Sequence, residues 1–267
     1  MDGQLLLICA LTFVIHLIGT LAYSVRIAGT RTGRIAVSFA LFNILVLISR
    51  TSNSFQAPIL AKRVEENLLG GLETGWIADF RWLLLAAAFA TLCGAVLIPT
   101  FQRVFGKAIE SFSTRQSIPH LLLHGFSKAG VSHLRDSIRI PSRANLTQLG
   151  SATGVPVRVI VLNTIAVAVW SVGVFSALYA GYLNPELRVT SSNLSGIVNG
   201  LATILLFLLI DPHLSVLTDD VVQGKSTEAS LRRTTIWMVG SRFAGTLLAQ
   251  ALLIPAALLI ASVAAWI

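Results

Sequence analysis

Long apolar runs separated by short polar segments dominate the pattern of hydrophobic positions along the chain. Six of these runs approach or exceed the roughly 20 residues that an α-helix needs to cross a bilayer. We expect spans at residues 5–23, 35–61, 82–101, 156–183, 194–210 and 243–267. Residues 119–140 instead place apolar and basic positions on opposite sides of a helix, as interfacial helices do. The pattern predicts an all-α membrane bundle of six spans in one domain, with an additional amphipathic interfacial helix.

The amino-acid composition agrees with this pattern. Hydrophobic residues make up 54% and charged residues 12% of the chain, whereas soluble domains carry about 25% charged residues. The two cysteines, Cys9 and Cys93, both lie inside apolar runs, so they predict neither a disulfide framework nor a metal site. We expect a membrane domain without a separate soluble domain.

The net charge of +8 follows the predicted membrane topology. The connections between the predicted spans lie alternately on the two sides of the bilayer. Fifteen of the twenty lysines and arginines fall in or beside the connections on one side. Cytoplasmic loops carry such an excess of basic residues. This distribution predicts that both termini lie outside the cytoplasm and that the amphipathic helix lies at the cytoplasmic interface, where it contacts membrane lipids. It argues against nucleic acid as a partner.

The second run carries polar residues that hydrocarbon tolerates poorly. Arg50 lies 15 residues into it, about 22 Å along a helix, where a cation costs about 2.5–3.5 kcal/mol. Asn43 precedes it by seven residues, and Asn53 and Gln56 follow it at steps of three, which favours one polar stripe. We expect this stripe to line a polar cavity that binds an anionic or hydrogen-bonding ligand. The alternative is that Arg50 extends outward to the headgroups.

The turn after the first run is the second candidate site. It contains Gly29 and Gly33 together with Arg31 and Arg34, and Arg26 lies one turn earlier. Glycine-rich backbone can form a concave anion site, and arginine binds phosphate oxygens through two parallel hydrogen bonds. The three arginines therefore predict a phosphate-binding site. An ordinary positively charged loop remains the alternative.

Three further ionisable residues lie within or at the ends of the predicted spans. His16 lies in the first run, Asp211 ends the fifth, and Arg242 opens the sixth. We expect Asp211 to pair with Arg242, and Arg242 to join the ligand-binding arginines. His16 is a candidate for proton or polar coupling, although a packed and hydrogen-bonded role is equally compatible with its position.

Small residues recur at helical spacing in two of the predicted spans. Gly173, Ala177 and Gly181 form a stripe in the fourth, and Gly196 and Gly200 form a GxxxG motif in the fifth. Such patterns favour close helix packing in membranes.

No residue pattern predicts catalysis, a cofactor or a metal site. The sequence contains no HExxH motif and no paired carboxylates inside a span. His120, His124 and His133 are close in sequence, but no cysteine or carboxylate completes a zinc-binding set. We therefore expect neither catalytic residues nor a bound metal.

The region from His16 to Lys62 resembles a known family. Its two segments, IHLIGTLAYSVRIAGTRTGRIAVSF and ALFNILVLISRTSNSFQAPILAK, are similar to the Amj family of alternate lipid II flippases of bacteria. The resemblance implies a multi-pass protein of the bacterial cytoplasmic membrane that is a transporter and not an enzyme. Its implied substrate is lipid II, the undecaprenyl-diphosphate-linked peptidoglycan precursor, moved from the inner to the outer leaflet.

Two other functions remain open at this stage. The same arginines suit a membrane enzyme acting on polyprenyl diphosphates, such as a phosphatase, with His16 as its reactive group. The basic amphipathic helix would also suit a scaffold that recruits cell-wall synthases. Six spans are few for a large cavity, so a homodimer is a further expectation.

Overall fold

The computed structural model describes residues 2–70, 76–115, 127–141 and 154–267. These residues are mostly helical, with no strand among them. The helices are α1 (Gly3–Thr32), α2 (Ile35–Leu69), α3 (Trp76–Arg115), α4 (Lys128–Ser137), α5 (Val157–Leu183), α6 (Arg188–Leu205), α7 (Asp211–Val222) and α8 (Glu228–Trp266). A π-helical turn, Leu206–Ile210, joins α6 to α7.

Local sequence explains where the first helix begins and ends. The Asp2 carboxylate accepts a 2.8 Å hydrogen bond from the Leu5 backbone N–H, which caps the N-terminus of α1. Gly33 ends the helix with φ = 65°, a left-handed conformation that glycine adopts at little cost. Thr227 caps α8 in the same way as Asp2, accepting a hydrogen bond from the Ser230 backbone N–H.

The six predicted spans are confirmed as long apolar helical segments. They correspond to α1, α2, α3, α5, the continuous α6–α7 segment and α8, so the chain is a multi-pass membrane protein. Several helices extend beyond the apolar runs, and Pro58, Pro99 and Pro255 lie inside α2, α3 and α8 without ending them.

Helix packing divides the bundle into two groups. α1 packs mainly against α2 and α3, and α5 packs mainly against α6 and α8. The predicted stripe on α5 is confirmed in part, since Gly173 lies against Asn199 and Gly181 against the Arg188 backbone. The GxxxG prediction is wrong: Gly196 and Gly200 have no described neighbour close to them. They lie on a side of α6 that does not contact α5.

The ends of the bundle differ in their interiors. At the end that carries both termini, here called the terminal half, an apolar core includes Leu5, Leu60, Phe80, Phe175 and Leu253. The opposite end, here called the loop half, carries the α1–α2 and α7–α8 connections. Its apolar clusters are smaller, and polar side chains lie between them.

The described part of the predicted amphipathic helix is α4. Its C-terminal end is held against α3, because the Thr100 hydroxyl accepts a hydrogen bond from the Arg139 N–H and donates one to the Arg139 carbonyl. Leu134 and Ile138 are exposed. Residues 119–126, including His120 and His124, lie outside the described residues.

Candidate functional site

The loop half contains a cavity of about 120 Å³, here called the arginine cavity. Its wall is built by α1, α2, α5, α8, the end of α6, the π-helical turn and the start of α7. Four charged residues line it: Arg26, Arg50, Arg242 and Asp211. The structure therefore brings together one arginine from each of the helices α1, α2 and α8.

Arg26 is held by an ion pair with Asp211. Its Nη2 donates a 2.8 Å hydrogen bond to Asp211 Oδ1, and its Nη1 donates a 3.1 Å bond to Ser215 Oγ. The guanidinium carbon also lies 5.2 Å and 5.0 Å from the ring centroids of Phe39 and Phe42. The predicted Asp211–Arg242 pair is wrong, because α7 turns Asp211 toward α1 instead of α8.

Arg242 is buried without a carboxylate partner among the described residues. Its guanidinium carbon lies 5.8 Å from the Trp170 ring centroid, a cation–π arrangement. Gly19 makes room for it, since a Cβ atom there would overlap Arg242 Nη2. The Tyr23 side chain is hydrogen-bonded to it.

The α5–α8 contact fixes the position of Arg242. The Asn163 amide donates hydrogen bonds to the Met238 carbonyl at 3.0 Å and to Ser241 Oγ at 2.7 Å. Gly245 lies against the Thr164 backbone. The guanidinium is therefore carried by a rigid part of the bundle.

Arg50 lies at the more open side of the cavity. Its side chain is exposed, and its guanidinium carbon is 5.6 Å from the ring centroid of Phe207 in the π-helical turn. Arg50 is residue 16 of the 35 in α2, so it lies near the middle of the helix. It shares one cavity with Arg26 and Arg242 and does not form a separate outer site.

The cavity wall carries an excess of positive charge. Three guanidinium groups face it, and Asp211 is the one carboxylate among its described lining residues. The Nε atoms of Arg26 and Arg242 are buried without a described hydrogen-bond partner. Unpaired cations at membrane depth are costly, so this arrangement favours an anionic ligand.

His16 lies behind the cavity wall. Its ring is 3% exposed and lies 5.1 Å from the Trp170 ring centroid, so Trp170 separates it from the cavity. Its Nδ1 atom has no described hydrogen-bond partner. A buried imidazole in this position is poorly placed to attack a phosphate, and nothing in the geometry favours the phosphatase alternative.

The polar stripe predicted on α2 divides between different surroundings. Gln56 faces α1, where its Nε2 donates a 2.5 Å hydrogen bond to Thr12 Oγ1. Asn43 is exposed and Asn53 is half-buried, and neither lines the cavity. The physical reason lies in helix geometry: two steps of three residues turn Gln56 about 120° away from Arg50.

The predicted loop site is also separate from the cavity. Arg31 donates two hydrogen bonds to Glu228, at 2.8 Å and 2.6 Å, and thereby ties the α1–α2 turn to the start of α8. Arg34 is exposed at the start of α2. Both lie beyond the cavity, at the end of the loop half.

Sequence reasoning missed the aromatic lining of the cavity. Tyr23, Phe42, Trp170 and Phe207 all contribute to its wall. Trp170 offered a signal, because tryptophans in membrane proteins concentrate at the interfaces and this one lies mid-span. No sequence signal distinguished Phe207 from the other apolar residues around it.

These features define a class: a multi-pass helical membrane protein with a cationic, aromatic-lined cavity inside one half of its bundle. The chain belongs to the Amj family, described as "Alternate to MurJ", whose sequence profile matches residues 11–264. It is 38% identical to Lipid II flippase Amj of Bacillus subtilis (strain 168) over 264 residues, which cover 98% of this chain and 97% of that protein. No solved structure matches the chain.

Proposed function

We propose that this protein is a lipid II flippase of the bacterial cytoplasmic membrane. The name of its Bacillus subtilis relative supports the substrate, and the arginine cavity is the observation that carries the mechanism. Lipid II joins its polyprenyl tail to its head group through a diphosphate. Guanidinium groups bind such oxygens through charge-assisted, often bidentate, hydrogen bonds.

The three arginines would act at different stages of binding. Arg50 is exposed and lies against the Phe207 ring, so it is the first to reach a diphosphate entering from the lipid. Arg242 is fixed deeper in the wall. Arg26 is engaged by Asp211, and the diphosphate would compete with that carboxylate. Re-formation of the ion pair would then help to release the substrate.

The cavity must widen to admit the head group. Its volume of about 120 Å³ suits a phosphate but not a disaccharide-pentapeptide. α2 is among the least buried helices, since six of its 35 residues are buried, compared with 14 of the 27 in α5. Leu60 and Val64 anchor its far end in the terminal core. We propose that α2 swings about this end and opens a path between Arg50 and Phe207.

The charge distribution supports one orientation of the protein in the membrane. The loop half carries the basic connections, so positive-inside places it in the cytoplasm and both termini outside. The arginine cavity then lies in the inner half of the membrane while the terminal core closes the outer half. This arrangement suits a state that receives substrate from the cytoplasmic leaflet.

Other charged and polar residues have proposed roles around the cavity. Arg31 and Arg34 lie where they could attract the diphosphate before it reaches the cavity, and Asn43 and Asn53 line its approach along α2. His16 and Asp211 are the candidates for coupling to a proton or to the membrane potential. A homodimer would supply extra room for the head group, and α4 would contact anionic membrane lipids.

The test is rescue of a bacterium depleted of MurJ, with periplasmic exposure of lipid II followed by enzymatic release of its head group. We expect the parent chain to rescue growth and Arg50→Ala to fail at matched membrane levels. Arg50→Lys should rescue in part, because it keeps the charge but loses the bidentate geometry. Arg158→Ala is the matched control, since this exposed arginine lies outside the cavity. Full rescue by Arg50→Ala would rule out its diphosphate role.

A further inference from the structure

A second concave site lies between α3 and α8. It has a volume of about 770 Å³, within the usual range of about 300–1,000 Å³ for ligand pockets. Leu92 and Val96 of α3 and Phe243 of α8 contribute to its apolar wall. Leu92 and Val96 are 46% and 53% exposed, so the groove is open to the surrounding lipid. We call it the α3–α8 groove.

The groove lies on a different face of α1 and α8 from the arginine cavity. Ile27 and Phe243 line the groove, whereas their sequence neighbours Arg26 and Arg242 line the cavity. Consecutive helical residues point about 100° apart, so α1 and α8 separate the two sites. A molecule in the groove would therefore contact the back of the helices that carry the cavity arginines.

Positive charge is concentrated at one end of the groove. Arg103, Arg139 and Arg232 line it. α3 and α8 are antiparallel, with the Gln250 amide donating a hydrogen bond to the Arg81 carbonyl. This register brings Arg103 and Arg232 to the same end. Thr100 holds the Arg139 backbone there as well.

The three arginines are differently engaged. Arg232 shares Glu228 with Arg31, so part of its charge is already compensated. Arg103 and Arg139 are exposed, and neither forms an ion pair with a carboxylate among the described residues. The groove thus presents two available guanidinium groups, and a third that is partly neutralised, at the mouth of an apolar channel.

The dimensions of the groove match one leaflet. Eleven residues separate Leu92 from Arg103 on α3 and Arg232 from Phe243 on α8, which is about 17 Å along a helix. Half of a hydrocarbon core about 30 Å thick is about 15 Å. A cationic mouth and an apolar channel of this length complement a phosphate headgroup with an ordinary acyl chain, and are short for a long polyprenyl tail.

We propose that the α3–α8 groove binds an anionic glycerophospholipid, with its phosphate at Arg103, Arg139 and Arg232 and an acyl chain between α3 and α8. The site does not depend on the flippase proposal. The charged mouth lies in the loop half, the side that carries the basic connections. Cytoplasmic leaflets are enriched in anionic lipids, which basic residues near the surface attract.

The experiment titrates the purified full chain in neutral detergent with phosphatidylglycerol or phosphatidylcholine of identical acyl composition, and counts bound lipids by native mass spectrometry. We expect one phosphatidylglycerol to bind preferentially. The double variant R103Q/R139Q should bind it about tenfold more weakly. K107Q/R158Q removes the same charge from exposed positions outside the groove and should bind normally.

A second variant tests the channel itself. Ala95 lines the groove, so Ala95→Phe should reduce binding of phosphatidylglycerol while leaving the charged mouth intact. Thermal melting without added lipid checks that each variant is folded. The proposal would be overturned if K107Q/R158Q lost as much phosphatidylglycerol binding as R103Q/R139Q, or if the parent bound both lipids equally. It would also be overturned if a polyprenyl phosphate displaced the bound phosphatidylglycerol one for one, or if the protein formed a dimer that excludes the lipid.

Discussion

Two arginines, the half-buried Arg63 in the terminal half and the buried Arg242 in the loop half, are held in opposite ways. In the terminal half, Arg63 donates hydrogen bonds to both Asp2 and Asp79, at 2.7–2.9 Å, and it ties together the ends of α1, α2 and α3. In the loop half, Arg242 lies against Trp170 and has no carboxylate partner among the described residues. Arginine therefore links the helix ends in the terminal half, whereas in the loop half the charge of Arg242 is not compensated by a carboxylate among the described residues.

This difference distinguishes a structural cation from a binding cation. The half-buried Arg63 has its charge and its hydrogen bonds satisfied by two carboxylates, and removing it would leave those carboxylates unpaired. The buried Arg242 has no carboxylate partner among the described residues, and we propose that the cost of its burial is recovered when an anion binds. Arg26 lies between these cases, because it lines the cavity and is also paired with Asp211.

Exchanging each arginine for glutamine tests this contrast most strongly. Arg242→Gln should reduce lipid II transport by at least about tenfold, because a hydrogen bond to a charged group contributes about 1.5–3 kcal/mol, while thermal stability is maintained. Arg63→Gln should lower the free energy of unfolding by roughly 2 kcal/mol, since it leaves two carboxylates unpaired. Its transport per folded molecule should remain normal. Transport in vesicles and thermal melting give the two readouts, and the reverse result would contradict the comparison.

Asp211→Asn should separate binding from transport. Removing the carboxylate frees Arg26, so we expect diphosphate binding to tighten while transport falls several-fold. Asp219→Asn provides the control, because Asp219 is exposed on the same helix and outside the cavity. Binding of a labelled polyprenyl diphosphate and transport would be measured side by side. Unchanged transport in Asp211→Asn would show that the ion pair has no part in the cycle.

Gln56→Leu should have a smaller effect, on stability alone. Gln56 donates a hydrogen bond to Thr12 and does not line the cavity. Side-chain hydrogen bonds between membrane helices contribute about 0.6 kcal/mol on average. We expect a small drop in melting temperature with transport intact. A large transport defect in the folded variant would show that Gln56 takes part in transport.

Asp2→Asn should show the smallest effect, and only above acidic pH. The hydrogen bond from the Leu5 N–H, followed by that from Arg63, lowers the pKa of the Asp2 carboxyl below its ordinary value of 3.8. A lowered pKa stabilises the fold above that value, and the stabilisation is lost as pH falls through the folded-state pKa. The melting temperatures of parent and variant should differ slightly at pH 7 and converge toward pH 3. Glu66→Gln, which breaks an exposed pair with Lys62, should change neither.

The sequence by itself predicted the six spans and the α1–α2 turn, and it indicated Arg26, Arg50 and Arg242 as candidate binding residues. These features depend on local quantities: the length of an apolar run, a glycine at a left-handed position, and the cost of a charge within hydrocarbon. Each can be read from one segment without knowledge of its neighbours.

Only the tertiary structure decided which polar groups meet. Asp211 pairs with Arg26 instead of Arg242, and Gln56 turns to Thr12 while Arg50 faces the cavity. Trp170 and Phe207 complete the cavity because α5 and the π-helical turn bring them there. The rotation of each helix about its axis sets these pairings, and that rotation results from packing among all the spans together.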